Sequence, residues 1–189
     1  MDGAEEEMRD GMERARRYAG FFDWPLNRDV AEFGVVESLA KSLKISGSLF
    51  FKNLSIRGRG SDPPDLEAMD FNDLRIAIEV TELVDGQAIH LYKQGFTGVY
   101  SLWGRDRFLN RLNEILAVKH ALYDNLKDGP YGGGYIVVIH TDEIDLTHIA
   151  VQEYLSNTVF PGYPCIKKAF LILSYFPGIG YPLFELNLV

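Results

Sequence analysis

The sequence is poor in the residues from which disulfides and most zinc sites are built. Cys165 is the only cysteine among 189 residues, which excludes an internal disulfide and a cysteine-rich zinc site. The four histidines have no metalloprotease spacing, and no serine lies in a Gly-x-Ser-x-Gly nucleophile elbow. The sequence therefore gives no support to zinc-peptidase or serine-hydrolase chemistry.

Long hydrophobic runs are also missing. No apolar stretch is long enough to span a bilayer, and residues 1–17 are strongly charged and lack the apolar core of a signal peptide. We therefore expect no membrane partner and no cleaved leader. Together with the single cysteine, this predicts a reducing, cytoplasmic location.

Composition sets the scale of the fold. Hydrophobic residues make up 47% of the chain, enough to bury a sizeable core in one domain. We predict a charged helical extension over residues 1–26 and a single α/β domain over residues 27–189. The net charge of -8 and the pI near 5.0 argue against a protein that coats nucleic acid by bulk electrostatics.

Hydrophobic patterning predicts helices alternating with strands. Asp29 and Glu32 have the spacing of a capping box that opens a helix, and a second helical period runs over residues 106–127. Residues 135–139 are apolar throughout, which is typical of a central strand covered on both faces. These patterns favour a three-layer α/β domain whose central mixed sheet is flanked by helices. The other predicted strands cover residues 48–56, 65–69, 74–81, 168–176 and 183–189, and a further helix covers residues 145–157.

One acid interrupts a strand that otherwise reads as buried. Glu79 lies in the stretch over residues 75–81, where alternation places it on the same face as Ala77 and Thr81. A buried carboxylate needs a cation, and Asp65 lies fourteen positions earlier, directly after Pro64. Two carboxylates held together raise each other's pKa unless a cation neutralises them. A hard divalent ion such as Mg²⁺ satisfies this requirement through oxygen ligands.

At these residues the chain resembles the PD-(D/E)XK nuclease superfamily. The matching residues are Pro64-Asp65 and Glu79-Val80-Thr81. The resemblance implies a restriction-endonuclease-like fold in which Asp65, Glu79 and the backbone carbonyl of Val80 bind Mg²⁺ or Mn²⁺. Thr81 stands where the motif normally has the lysine that activates water or stabilises the scissile phosphate.

Two helical residues complete the expected site. Lys119 lies in the apolar stripe of the second helix, and superfamily members are known in which the lysine has moved from the strand to a helix. The alternative is that its stem packs while its ammonium reaches solvent. Glu37 is the candidate carboxylate on the preceding helix, with an ordinary surface acid as the alternative. Glu79 also has a structural alternative, an ion pair with Arg75.

Two functions of different classes follow. The first is a metal-dependent phosphodiesterase that cleaves DNA or RNA, with Asp65, Glu79, Thr81 and Lys119 as catalytic residues. The alternative is a catalytically inactive nuclease-like module with a binding or regulatory role, in phage or bacterial conflict systems. Nucleic acid is the expected partner of the active form, and a homodimer is compatible with the sequence. A basic strip at residues 52, 57 and 59 is either a phosphate contact or a solvated turn.

Overall fold

A computed structural model describes residues 28–87, 90, 94, 102–174, 176 and 178–189. The predicted extension over residues 1–26 lies outside this part of the chain. Within it, no helix has both the length and the apolar character needed to cross a membrane.

Six strands form one open, mixed sheet in the order of the chain. The first three form an antiparallel meander, β3 pairs in parallel with β4, β4 pairs in parallel with β5, and β6 returns antiparallel to β5. This confirms the predicted α/β class with a mixed sheet. The strands are β1 (Phe51–Ile56), β2 (Leu66–Asp70), β3 (Arg75–Glu82), β4 (Gly134–Thr141), β5 (Ile166–Leu173) and β6 (Leu183–Leu186).

Helices cover both faces of this sheet. Helix α1 (Arg28–Ile45) packs on one face, while α2 (Arg105–Leu122) and α3 (His148–Leu155) pack on the other. Strands β3 and β4 therefore contribute alternate side chains to two separate cores. Among residues on β3, Ile78 joins the core under α1 and Ala77 joins the core under α2. Buried area on both faces of the sheet is the main source of its stability.

The parallel crossover through α2 positions the C-terminal end of that helix beside β3. Tyr135 on β4 is fully buried, and its hydroxyl donates a hydrogen bond to the backbone carbonyl of Lys119 at 3.1 Å. This bond holds the last turn of α2 against the centre of the sheet. The side chain of Lys119 is thereby kept over the strand that carries Glu79.

The start of α1 corrects one prediction. Asp29 is already helical, so it is not the residue that caps the helix from outside. Glu32 accepts a hydrogen bond from the side chain of Arg28 one turn earlier. Arg28 and Glu32 lie four residues apart on one face of the helix and form an ion pair. The Glu32 carboxylate, which a capping box would bond to the backbone at the helix start, is thus bonded to a side chain.

Candidate metal site

The site forms where the β2–β3 ladder begins. Leu66 pairs with Ile78 at the first position of β2, so Asp65, one residue earlier, lies opposite Glu79. Asp65 Oδ2 accepts a hydrogen bond from the backbone N–H of Val80 at 2.8 Å. The N–H and C=O of a strand residue point to the same edge, so the Val80 carbonyl also faces this side of the strand.

Three carboxylates meet at this point. Asp62, Asp65 and Glu79 each offer an oxygen atom, and the three atoms lie within 4.8 Å of one another. Asp62 ends the 3-10 turn over Arg59–Ser61 that leads into β2. Asp65 is 7% exposed and Glu79 is 2% exposed. Such a group of buried anions is stable only if cations compensate it.

Lys119 supplies one of those cations. Its Nζ lies 2.5 Å from Glu79 Oε2, and its side chain is only 12% exposed. The structure thus places the ammonium against the buried acid and not in solvent. The alternative partner for Glu79, Arg75, instead bonds Glu67 through two nitrogen atoms at 2.7 Å.

The other oxygen of Glu79 has no partner. Within the described part of the chain, no hydrogen-bond donor reaches Oε1, although the atom is buried. Buried carboxylate oxygens are normally bonded, because leaving one unsatisfied costs about 1–3 kcal/mol or more. Glu79 also offers an oxygen atom to the cluster with Asp62 and Asp65, so a cation bound at this point would compensate three neighbouring acids.

Burial dominates the electrostatics of the two acids. It raises the pKa of Glu79, and Lys119 opposes this rise. Burial also raises the pKa of Asp65, against the Val80 N–H and Lys119. Both acids are therefore harder to ionise than in water until further positive charge arrives.

The structure places Glu32, and not Glu37, beside Asp65. Glu37 has a side chain that is 49% exposed and pairs with Lys41 at 3.1 Å. Glu32 lies beside Asp65, since both bond to Arg28. Five residues advance an α-helix by well over one turn, so the two acids face different directions. The structure therefore does not bring Glu37 to the three acids, and a metal-binding role for either helix acid stays a prediction.

Thr81 lies two residues beyond Glu79 on β3, which places both on the same face of the strand. The structure therefore brings together Asp65, Glu79, Lys119 and the Val80 backbone, with Thr81 next along the strand. Asp62, Arg28 and Glu32 were not predicted as site residues. Their roles as metal ligands or catalytic groups stay predictions.

Two cations of the basic strip, Lys52 and Arg57, are held in ion pairs. Arg57 is bonded to Glu67 and Asp128, and Lys52 pairs with Asp73 at 2.8 Å. These side chains are held by carboxylates of the chain itself. Phosphate recognition through this strip would first have to break those pairs.

Comparison with known proteins finds no matching family model, no matching curated protein and no matching solved structure. The function is therefore argued from the site alone.

The first prediction concerns the Lys119–Glu79 pair. Lys119→Met leaves the Glu79 carboxylate buried without its cation, and we expect a loss of about 3 kcal/mol in the free energy of unfolding at pH 8. The loss should shrink at lower pH, because burial raises the pKa of Glu79 and its protonated form needs no cation. Urea unfolding at pH 8 and at pH 5 measures both effects.

The matched control is Lys41→Met in the exposed pair with Glu37, for which we expect a loss of about 0.5 kcal/mol or less. Equal losses in the two variants would contradict the buried role of Lys119.

The second prediction uses Glu32. Burial, with the nearby charge of Asp65, raises the pKa of Glu32 to about 7 from an ordinary value of 4.5. Between these values the folded chain binds more protons than the unfolded chain, so the free energy of unfolding of the metal-free protein falls as the pH rises. Glu32→Gln should flatten this slope in urea titrations.

Glu37→Gln, on the exposed side of the same helix, is the control and should keep the wild-type slope. Glu82 and Asp142, whose pKa values burial raises to about 7 and about 6, contribute in the same direction in every variant. An unchanged slope in Glu32→Gln would show that this acid ionises normally in the folded protein.

Proposed function

We propose that this chain is a metal-dependent phosphodiesterase that cleaves DNA or RNA, with a restriction-endonuclease-like fold. Asp65, Glu79 and the carbonyl of Val80 hold the metal ion, and Lys119 provides positive charge beside it. The observation that carries the proposal is the buried Glu79 carboxylate, which clusters with Asp62 and Asp65 and whose Oε1 has no hydrogen-bond partner in the described part of the chain.

The ligand atoms of the candidate site favour a hard divalent cation. All candidate ligands are oxygen atoms from carboxylates and a backbone carbonyl, which suit hard divalent cations. Neither a cysteine nor a histidine belongs to the cluster of three acids, so the set offers nothing that zinc or copper would prefer. Mg²⁺ fits best, and Mn²⁺ is the natural substitute.

The order of elements supports the proposal as well. Helix α1 comes before the β1–β2–β3 meander, and α2 then leads to the parallel strand β4. The nuclease core that the motif resembles has the same order. Asp65 directly precedes β2 and Glu79 lies on β3, which pairs antiparallel with β2; this agrees with the arrangement that the resemblance implies.

Each residue has a defined part in such a reaction. When bound, the divalent ion would lower the pKa of a water molecule and neutralise charge on the phosphate. Asp65, just before β2, and Glu79, on β3, would hold that ion between them. The Tyr135 hydroxyl keeps in place the last turn of α2, which carries Lys119. Lys119 orients Glu79 and sets an ammonium next to the phosphate position, where its charge stabilises the transition state. The Thr81 hydroxyl, on the same face of β3, orients the attacking water by hydrogen bonding.

The third prediction tests the metal ligands. Asp65→Asn and Glu79→Gln preserve side-chain shape but remove the charge, so we expect Mn²⁺ affinity to fall by more than about 100-fold and cleavage to be lost. Isothermal titration with Mn²⁺ at pH 8, followed by assays on mixed DNA and RNA with Mg²⁺, measures both. Glu37→Gln is the matched control and should behave as wild type.

Circular dichroism of each variant establishes that the fold is retained. Wild-type protein that binds Mn²⁺ but cleaves neither nucleic acid would favour the inactive binding or regulatory module. Wild-type protein that binds no divalent ion would refute the metal site.

The fourth prediction concerns the position of the lysine. If Lys119 replaces the strand lysine of the motif, Lys119→Met should lower the cleavage rate by about 10²-fold. Adding Thr81→Lys places a cation on the same face of β3 and should recover part of that rate. Activity that is equally low in the single and double variants would contradict the equivalence of the two positions.

A further inference from the structure

Arg28 lies beside the candidate metal ligands and bonds two of the surrounding acids. Its Nε donates to Glu32 Oε1 at 2.5 Å, and its Nη2 donates to Asp65 Oδ1 at 3.1 Å. The other oxygen of Asp65 faces the Val80 N–H. The guanidinium therefore occupies one side of Asp65, while Asp62 and Glu79 lie within reach of the same carboxylate.

Little room remains on the Arg28 side. A cavity of about 10 Å³ lies there, lined by Arg28, Asp29, Glu32, Gly58, Asp62 and Asp65. This volume is about that needed by one water molecule. A second magnesium ion normally keeps several waters, so it does not fit while the guanidinium is in place.

The charge balance of the site also favours a single metal ion. Four carboxylates, those of Glu32, Asp62, Asp65 and Glu79, face the two cations Arg28 and Lys119. When all are ionised, two negative charges remain, which one divalent ion neutralises. Glu79 Oε1, which has no hydrogen-bond partner among the described residues, is available to bind such an ion.

We propose that Arg28 serves as a built-in second cation, which limits the site to one divalent metal ion. The inference rests on the proposed metal site. Arginine is suited to this role because its planar fork bonds carboxylates and phosphates and keeps its charge at any physiological pH. The side chain is 58% exposed, so its solvent side is open to a phosphate oxygen. Arg28 thus determines the metal stoichiometry and supplies a positive charge beside Asp65.

The fifth prediction concerns metal stoichiometry, with Mn²⁺ alone as the probe. At pH 8 and without substrate, electron paramagnetic resonance should count one bound Mn²⁺ per wild-type chain. Arg28→Gln frees Glu32 and one Asp65 oxygen and opens the cavity, so we expect two bound ions. Arg28→Lys keeps the positive charge and should bind one. Arg111→Gln is the matched control, since Arg111 is also a partly exposed arginine paired with a helix acid, Glu114, at 3.1 Å; it should bind one.

The possible failures are distinguishable. A single ion in Arg28→Gln, with circular dichroism unchanged, overturns the role of Arg28 and leaves the proposed phosphodiesterase site intact. Two ions in the wild type, or in Arg28→Lys, also overturn it. No bound ion in the wild type refutes the metal site itself, and the inference about Arg28 with it.

Discussion

The carboxylate of Glu79 lies inside the sheet with one oxygen held by Lys119 and the other bonded to nothing in the described part of the chain. Burying an anion this deeply is costly, and a single ammonium compensates only one side of it. The structure adds two more acids, Asp62 and Asp65, and thereby increases the negative charge. A chain selected for stability alone would place an apolar residue here. The proposed metal ion would balance this charge.

The sheet register determines where this charge can gather. Because β2 begins at Leu66, Asp65 is free to turn its carboxylate onto the Val80 N–H and to face Glu79 on the next strand. The crossover through α2 then covers that face of β3 and delivers Lys119. The first turn of helix α1 lies beside Asp65, and Arg28 on that turn bonds the Asp65 carboxylate. Three separate segments meet at one point, so the site depends on the whole α/β framework and not on a single loop.

Much of this arrangement could be predicted from sequence, because it follows from local periodicity. Within the described residues, the six strands and three helices overlap the predicted ones, since alternation and helical stripes determine them. The predicted ends are less accurate, because α2 ends at Leu122, five residues early, and β5 and β6 each end three residues early. The nearness of Asp65 and Glu79 follows from two strands joined by a short turn, and Lys119 was identifiable as a charge within an apolar stripe. Three site residues were missed. The position of Asp62 depends on the path of an irregular turn. The positions of Arg28 and Glu32 depend on the rotation of α1 about its axis, and the weakly amphipathic sequence of this helix does not reveal that rotation. The same uncertainty in rotation explains why Glu37 was expected in place of Glu32.

Anomalous diffraction at the manganese edge, from crystals grown with Mn²⁺, tests the central claim most directly. The account predicts one strong peak between Asp65 and Glu79, at about 2.1 Å from their nearest oxygens as for a hard hexacoordinate ion, with Glu79 Oε1 among the ligands. An absence of density at this position, while Glu79 remains paired with Lys119 alone, would contradict it.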